Sequence, residues 1–247
     1  MPSLLKLIAL GSLSLLLSAC QSLLPPNPPT PVQRHAWEER LPGCQGETCP
    51  LVNIDTLDFP DEPRLSALVE QALLEMTRNA PKAPLPTSLK AYPQQFLSQA
   101  EPGWNSYLQA KVREQHDGLI IVELSSYLST GGAHGMPGRG FINYDRKRQQ
   151  ALSLQDMLLP GQEEAFWSAV ELAHQAWLKA EKLDQDANFI QTWPFQHSPN
   201  IALTYGALSL KYDVYSIAPY AMGHPELKLP YPRLNGILKP EYFPGRG

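Results

Sequence analysis

The side chains best suited to chemistry lie in one stretch, Ser125-Ser126-Tyr127-Leu128-Ser129-Thr130-Gly131-Gly132-Ala133-His134-Gly135. A β-rich run enters a loop carrying Gly131, Gly132, Gly135 and Gly138, and a second β-rich run leaves it through Phe141-Ile142-Asn143-Tyr144-Asp145. Glycine accepts positive φ and close backbone approach, so such a loop reverses without strain. Its one histidine, His134, would pair with Asp145 or Asp156 as an acid–base couple. That couple needs an activated Ser or Cys to serve, and none is identifiable. The chain has no Gly-x-Ser-x-Gly elbow, no His-Glu-x-x-His pair and no phosphate-cradling Gly-x-x-x-x-Gly-Lys. His134 and His224, far apart in sequence, are too few to define a metal centre. The same residues fit binding better. Tyr127, Tyr144, Tyr215 and Tyr220 are large amphipathic side chains of the kind enriched at recognition hot spots. With Gly131, Gly132, His134, Asn143 and His224 they form the candidate ligand-binding set, and no cofactor is expected.

Two hairpins should position these residues. Leu108, Ala110 and Val112 alternate with polar neighbours, His116-Asp117-Gly118 makes an Asp-Gly turn, and Ile120, Val122, Leu124, Ser126 and Leu128 alternate on the return. Phe141 to Asp145 returns as a third strand. Residues 201–203 and the alternating run 208–215 form the second hairpin, and 227–230 a last strand. Leu65, Leu68, Val69, Ala72, Leu73 and Met76 recur at helical spacing behind Asp61-Glu62-Pro63, which predicts an amphipathic helix over 62–79. A second helix is expected over 89–100, a long one over 162–182 with His174 packed beside its apolar face, and a short closing one over 231–238. The fold class is therefore α+β: an antiparallel sheet built from two hairpins and flanked by helices on one side. The dense basic run Arg146-Lys147-Arg148 reads as a solvated turn.

The N-terminus reads as an address. Lys6, an apolar run from Leu7 to Leu17 and small residues before Cys20 are the features of a secretory signal peptide over 1–19, too short for a membrane span of roughly 20 residues. Leu17-Ser18-Ala19-Cys20 resembles the bacterial lipobox, which implies lipidation of Cys20. Gln21 rather than Asp at the next position implies an outer-membrane lipoprotein facing the periplasm. Several acyl chains hold a protein stably where one does so only marginally. Residues 20–43 hold Pro25, Pro26, Pro28, Pro29 and Pro31 and read as a lipid-anchored, proline-rich linker, a spacer of roughly 40 Å at about 3.1 Å per residue. Cys44 and Cys49, in an exported chain, are expected to form a disulfide. The remaining 44–247 reads as a single domain, with an N-terminal lobe over about 50–128 and a C-terminal part over about 129–240. The net charge of −4 becomes −5 once Lys6 leaves with the signal peptide, which argues against a nucleic-acid partner.

Tyr127 to Gly135, then Asn143-Tyr144-Asp145, then Leu152-Ser153-Leu154-Gln155-Asp156-Met157-Leu158, and later Tyr215-Ser216-Ile217-Ala218-Pro219-Tyr220-Ala221-Met222-Gly223, resemble the RsiV-like family. The resemblance covers about residues 52–238. It departs after Asp145, where Arg146-Lys147-Arg148-Gln149 replaces the usual Thr-Gly-Lys-like turn. The family's domain recurs in envelope proteins, forming the outer part of a lysozyme-binding anti-sigma factor and accompanying the catalytic domain of a peptidoglycan deacetylase. The resemblance thus implies a non-catalytic protein whose partner is a lysozyme-like protein or peptidoglycan. The alternative is an envelope hydrolase or metal-dependent enzyme centred on His134.

Overall fold

A computed structural model describes residues 28–245 apart from 79 and 81. The expected leader over 1–19, Cys20, Pro25 and Pro26 lie outside the described residues. The strands are β1 (Gln33–Arg40), β2 (Leu51–Asp58), β3 (Asn105–His116), β4 (Leu119–Ser129), β5 (Met136–Asp145), β6 (Gln150–Ala151), β7 (Ile201–Leu203), β8 (Leu208–Lys211) and β9 (Glu226–Leu229). The helices are α1 (Pro63–Glu75), α2 (Tyr92–Leu97), α3 (Leu154–Met157), α4 (Glu163–Ala180) and α5 (Ala187–Thr192). The protein is α+β, with a six-stranded sheet in the order β1-β2-β3-β4-β5-β6 and a three-stranded antiparallel sheet in the order β7-β8-β9.

The two hairpins form, but in different sheets. The larger sheet is mixed, because β2 and β3 run parallel with Leu51 opposite Asn105. A parallel neighbour requires a crossover, and α1 and α2 supply it. The reason for two sheets is legible in β4, where Leu119-Ile120-Ile121-Val122 is apolar on both faces. Ile120, Val122 and Leu124 pack with α1, while Leu119 and Ile121 join the cluster that includes Phe166 and Val170 of α4 and Leu208, Leu210, Leu227 and Leu229 of the small sheet. A sheet apolar on both faces has to be covered twice. Helices α1 and α2 therefore cover one face, and α4 with the small sheet covers the other, rather than helices on one side alone.

The proline-rich linker ends earlier than expected. Gln33 to Arg40, placed in the spacer at 20–43, pair with β2 residue by residue from Gln33 opposite Asp58 to Arg40 opposite Leu51. Arg34 grips Asp55 through Nε and Nη2 at 2.6 and 3.1 Å, and Gln109 donates to the same carboxylate at 2.7 Å. Cys44 and Cys49 are joined as a disulfide across the β1–β2 connection.

The run 208–215 departs from an extended strand after Lys211. Tyr215 takes a left-handed φ of +65°, and Ser216 N–H closes a turn on Asp213 at 3.2 Å. Expected helix ends also shorten: α1 stops at Glu75, and the closing segment is a 3₁₀ turn over Tyr231–Leu234. Segment α5, with no periodic signal, is capped by Asp186 accepting from Phe189 N–H at 2.9 Å.

The two sheets are sewn together by polar groups. Asn143 of β5 is buried; its Nδ2 donates to the Ile201 carbonyl at 2.7 Å and its Oδ1 accepts from Leu203 N–H at 2.8 Å. A β-bulge at Arg113 turns that guanidinium towards Glu123 and Glu226, at 3.2 and 3.4 Å. Replacing Asn143 with Leu strands two buried backbone groups, at about 1–3 kcal/mol each. Thermal unfolding of Asn143→Leu should occur roughly 4–24 °C lower, at about 2–4 °C per kcal/mol for a chain of this size; an unchanged midpoint would disprove the clamp.

His174 of α4 is buried against Trp177 and Phe195, and its Nε2 has no partner among the described residues. Burial holds its pKa below the ordinary value of 6.5. The unfolded chain therefore takes up a proton that the folded chain refuses. Stability is full above about pH 7 and falls as the pH drops through the unfolded value. His174→Phe should flatten the melting midpoint between about pH 7 and pH 5; an unaltered slope would count against the buried imidazole.

Candidate functional site

Strands β4 and β5 bring Leu128 opposite Met136, so the connection between them is short and tightly held at its base. Gly131 and Gly132 take φ of +91° and +94°, where a side chain is strained, and no atom would meet a Cβ on either. Gly135 is different: its φ is ordinary, but a Cβ there would sit 2.6 Å from Tyr127 Oη and 2.8 Å from the Leu128 carbonyl. Tyr127 explains the close approach, since its hydroxyl accepts from Gly135 N–H at 3.2 Å.

The Gly135 carbonyl gathers the rest. Tyr220 O–H donates to it at 3.1 Å, and His134 Nδ1 lies 3.1 Å from it. A carbonyl only accepts, so Nδ1 is the donor in this contact. Tyr215 Oη lies 3.1 Å from His134 Nε2, within hydrogen-bond distance. The His134 ring stacks on Tyr220 at 3.9 Å and 22°, and Tyr215 lies 5.7 Å from Tyr220 and 6.2 Å from Trp193. Tyr215 is 44% exposed despite its left-handed backbone, so no core packing demands that geometry. Strained φ/ψ values held by their surroundings cluster at ligand sites. The product is an exposed patch of aromatic rings on the rim of a glycine loop.

The expected residues divide into two groups. Tyr127, Gly131, Gly132, His134, Tyr215 and Tyr220 come together. Asn143 and Tyr144 do not: Asn143 is the clamp between sheets, and Tyr144 is fully buried with its hydroxyl on Glu62 at 3.2 Å. Both sit on the half of β5 far from the loop, inside the core. His224 bonds the Tyr212 carbonyl through Nδ1 at 2.9 Å; burial holds its pKa below 6.5, and its Nε2 has no partner among the described residues. It makes no ring contact with the His134 cluster among the described residues.

The histidine–carboxylate couple does not assemble. Asp145 ends β5, about 30 Å from Met136 at roughly 3.3 Å per residue, where its Oδ1 caps Arg148 N–H. Asp156 forms a capping box with Ser153 at the start of α3. Among the described residues no three of His, Cys, Asp or Glu are grouped to hold a metal ion. Sequence reasoning missed two contributors. Trp193 follows α5 in a stretch without period. Asp213 belongs to the alternating run 208–215, and its Oδ1 takes Arg139 N–H at 2.7 Å and ties β5 to the segment bearing Tyr215.

Gly135→Ala should drive Tyr127 out of place and cost roughly 1–3 kcal/mol, the range for overpacking. Gly132→Ala, in open space, should cost only its backbone strain, about 1–3 kcal/mol, and leave Tyr127 in place; a Tyr127 environment equally disturbed in both variants would contradict the packing described.

Residues 155–232 match the family model described as a protein of unknown function, DUF3298. The matched span includes Trp193, Tyr215 and Tyr220 but stops short of the His134 loop. No curated protein matches the chain. A crystal structure of a DUF3298 family protein from Pseudomonas aeruginosa PAO1 is 72% identical, with a TM-score of 0.85 over 89% of this chain and 99% of that one. A member from Bacteroides fragilis NCTC 9343, 18% identical, shares the fold with a TM-score of 0.68 over 86% of this chain and 94% of its own. With near-complete coverage of the 72% identical Pseudomonas aeruginosa relative, the chain belongs to the DUF3298 family.

Proposed function

We propose that this protein is an outer-membrane lipoprotein, anchored through Cys20 and facing the periplasm, that binds an envelope ligand without chemistry through the His134 loop. The observation that carries the reading is the aromatic cluster in which His134 of the β4–β5 loop and Tyr215, both exposed, meet the half-buried Tyr220 and Trp193. Large rings held at low conformational cost are what a binding surface needs. Both nitrogens of His134 are spent on orienting the loop, and the carboxylates that would drive it as a base are engaged elsewhere. The RsiV-like resemblance makes a lysozyme-like protein the first ligand to try, with peptidoglycan as the second. The lipobox at Leu17 to Cys20 supports the anchor.

Calorimetric titration of residues 22–247 with a c-type lysozyme should give saturable one-to-one binding. His134→Ala combined with Tyr220→Ala should then weaken it by a factor of about 30, the effect of losing roughly 2 kcal/mol at a hot spot, with the melting midpoint little changed. A flat titration transfers the test to soluble peptidoglycan fragments, and a second flat result rejects this reading. A large melting shift with unchanged affinity would make the cluster structural.

A further inference from the structure

The first described residues are fastened to one end of the large sheet. The Thr30 backbone exchanges two bonds with the Gln115 amide: N–H to Oε1 at 2.6 Å, and carbonyl from Nε2 at 3.0 Å. Thr30 is only 4% exposed, so this strap is part of the packed structure. Arg146 Nη1 donates to the Pro28 carbonyl at 3.0 Å, while its Nε reaches Glu62 at 3.4 Å. Gln115 lies at the end of β3, beside the Asp117-Gly118 turn, and Arg146 N–H bonds the Gly118 carbonyl at 3.0 Å. The basic run is the turn expected, with Lys147 and Arg148 exposed, and its Arg146 also acts as a clasp on the strap. From the strap the chain rises through β1, whose first residue pairs with the last of β2.

The His134 loop closes the opposite end. Leu119 pairs with Asp145 at the strap end, and Leu128 pairs with Met136 at the loop end. Nine steps along β5 separate the two ends by about 30 Å. Only eight steps join Cys20 to Pro28, at most about 28 Å of chain.

We infer that the domain hangs from its membrane by the Gln115–Arg146 end, so that the aromatic loop faces away from that bilayer and its ligand belongs to the space beyond it, not to the anchoring lipid. The inference rests on the anchor proposed for Cys20. The tether pulls on the end of the sheet about 30 Å from the binding surface, and a tether no longer than the sheet keeps that order. Charge does not set it. The cleft of about 1000 Å³ at the strap end faces Glu62, Asp117, Asp145 and Glu241 as well as Arg146, Lys147 and Arg148, so it has no net pull on anionic headgroups.

The test uses the acylated mature chain, from Cys20 onward, in phosphatidylethanolamine–phosphatidylglycerol vesicles with an energy acceptor on the headgroups. A donor dye is placed on Lys147→Cys or on Ala133→Cys, both exposed positions. Transfer from position 147 should be several-fold greater than from 133 and should persist at high salt. Flotation with equal transfer, or greater transfer from 133, overturns the orientation and leaves the anchor intact. A difference that vanishes at high salt assigns the orientation to headgroup attraction and overturns the tether argument. Failure to float with the vesicles overturns the anchor, and the orientation with it.

Discussion

The buried amide of Asn143 is the contact on which the arrangement turns. One side chain offers a donor and an acceptor spaced like a peptide group, and it spends both on the backbone of β7. A three-residue strand has few ladder bonds of its own, and Asn143 fixes where it lies against β5. That register places β8, and β8 runs into the segment carrying Asp213 and Tyr215. The aromatic cluster is therefore assembled from two sheets, and its geometry is only as good as the joint between them. A buried polar group is costly unless it is satisfied, which makes this joint specific where apolar packing alone would let the sheets slide.

Much of the scaffold was legible because period reports burial. The stripe from Leu65 to Met76 and the alternation through Leu108 to Val112 located the start of α1 and the first hairpin, although α1 ends at Glu75 rather than at 79, and the Asp-Gly turn fell at Asp117-Gly118. The second sheet was not legible. Alternation names the faces of a strand but not the sheet it joins, and only the four-residue apolar run at Leu119 to Val122 hinted that both faces of β4 were covered. Strand β1 escaped for the converse reason. Almost every side chain of Gln33–Arg40 is exposed, so no pattern marks it, and it exists because β2 had an edge to pair.

The candidate site was half visible. Glycines and tyrosines announced a loop and its anchors, and six of the nine residues meet. Asn143 and Tyr144 misled because polar and aromatic side chains serve interiors as readily as surfaces, and sequence does not say which hydrogen bonds they find. Trp193 stayed hidden because an isolated ring in an aperiodic stretch acquires meaning only from what folds beside it.

The position of β1 also governs how the protein answers to force. A pull on Pro28 along the strand reaches a ribbon of eight residue pairs whose far end is closed by the Cys44–Cys49 disulfide. The ladder is then loaded in shear, all its bonds sharing the strain, instead of being unzipped pair by pair from a frayed end. An edge strand that looks expendable in a static view is the part that lets the rest of the body be tugged without coming apart.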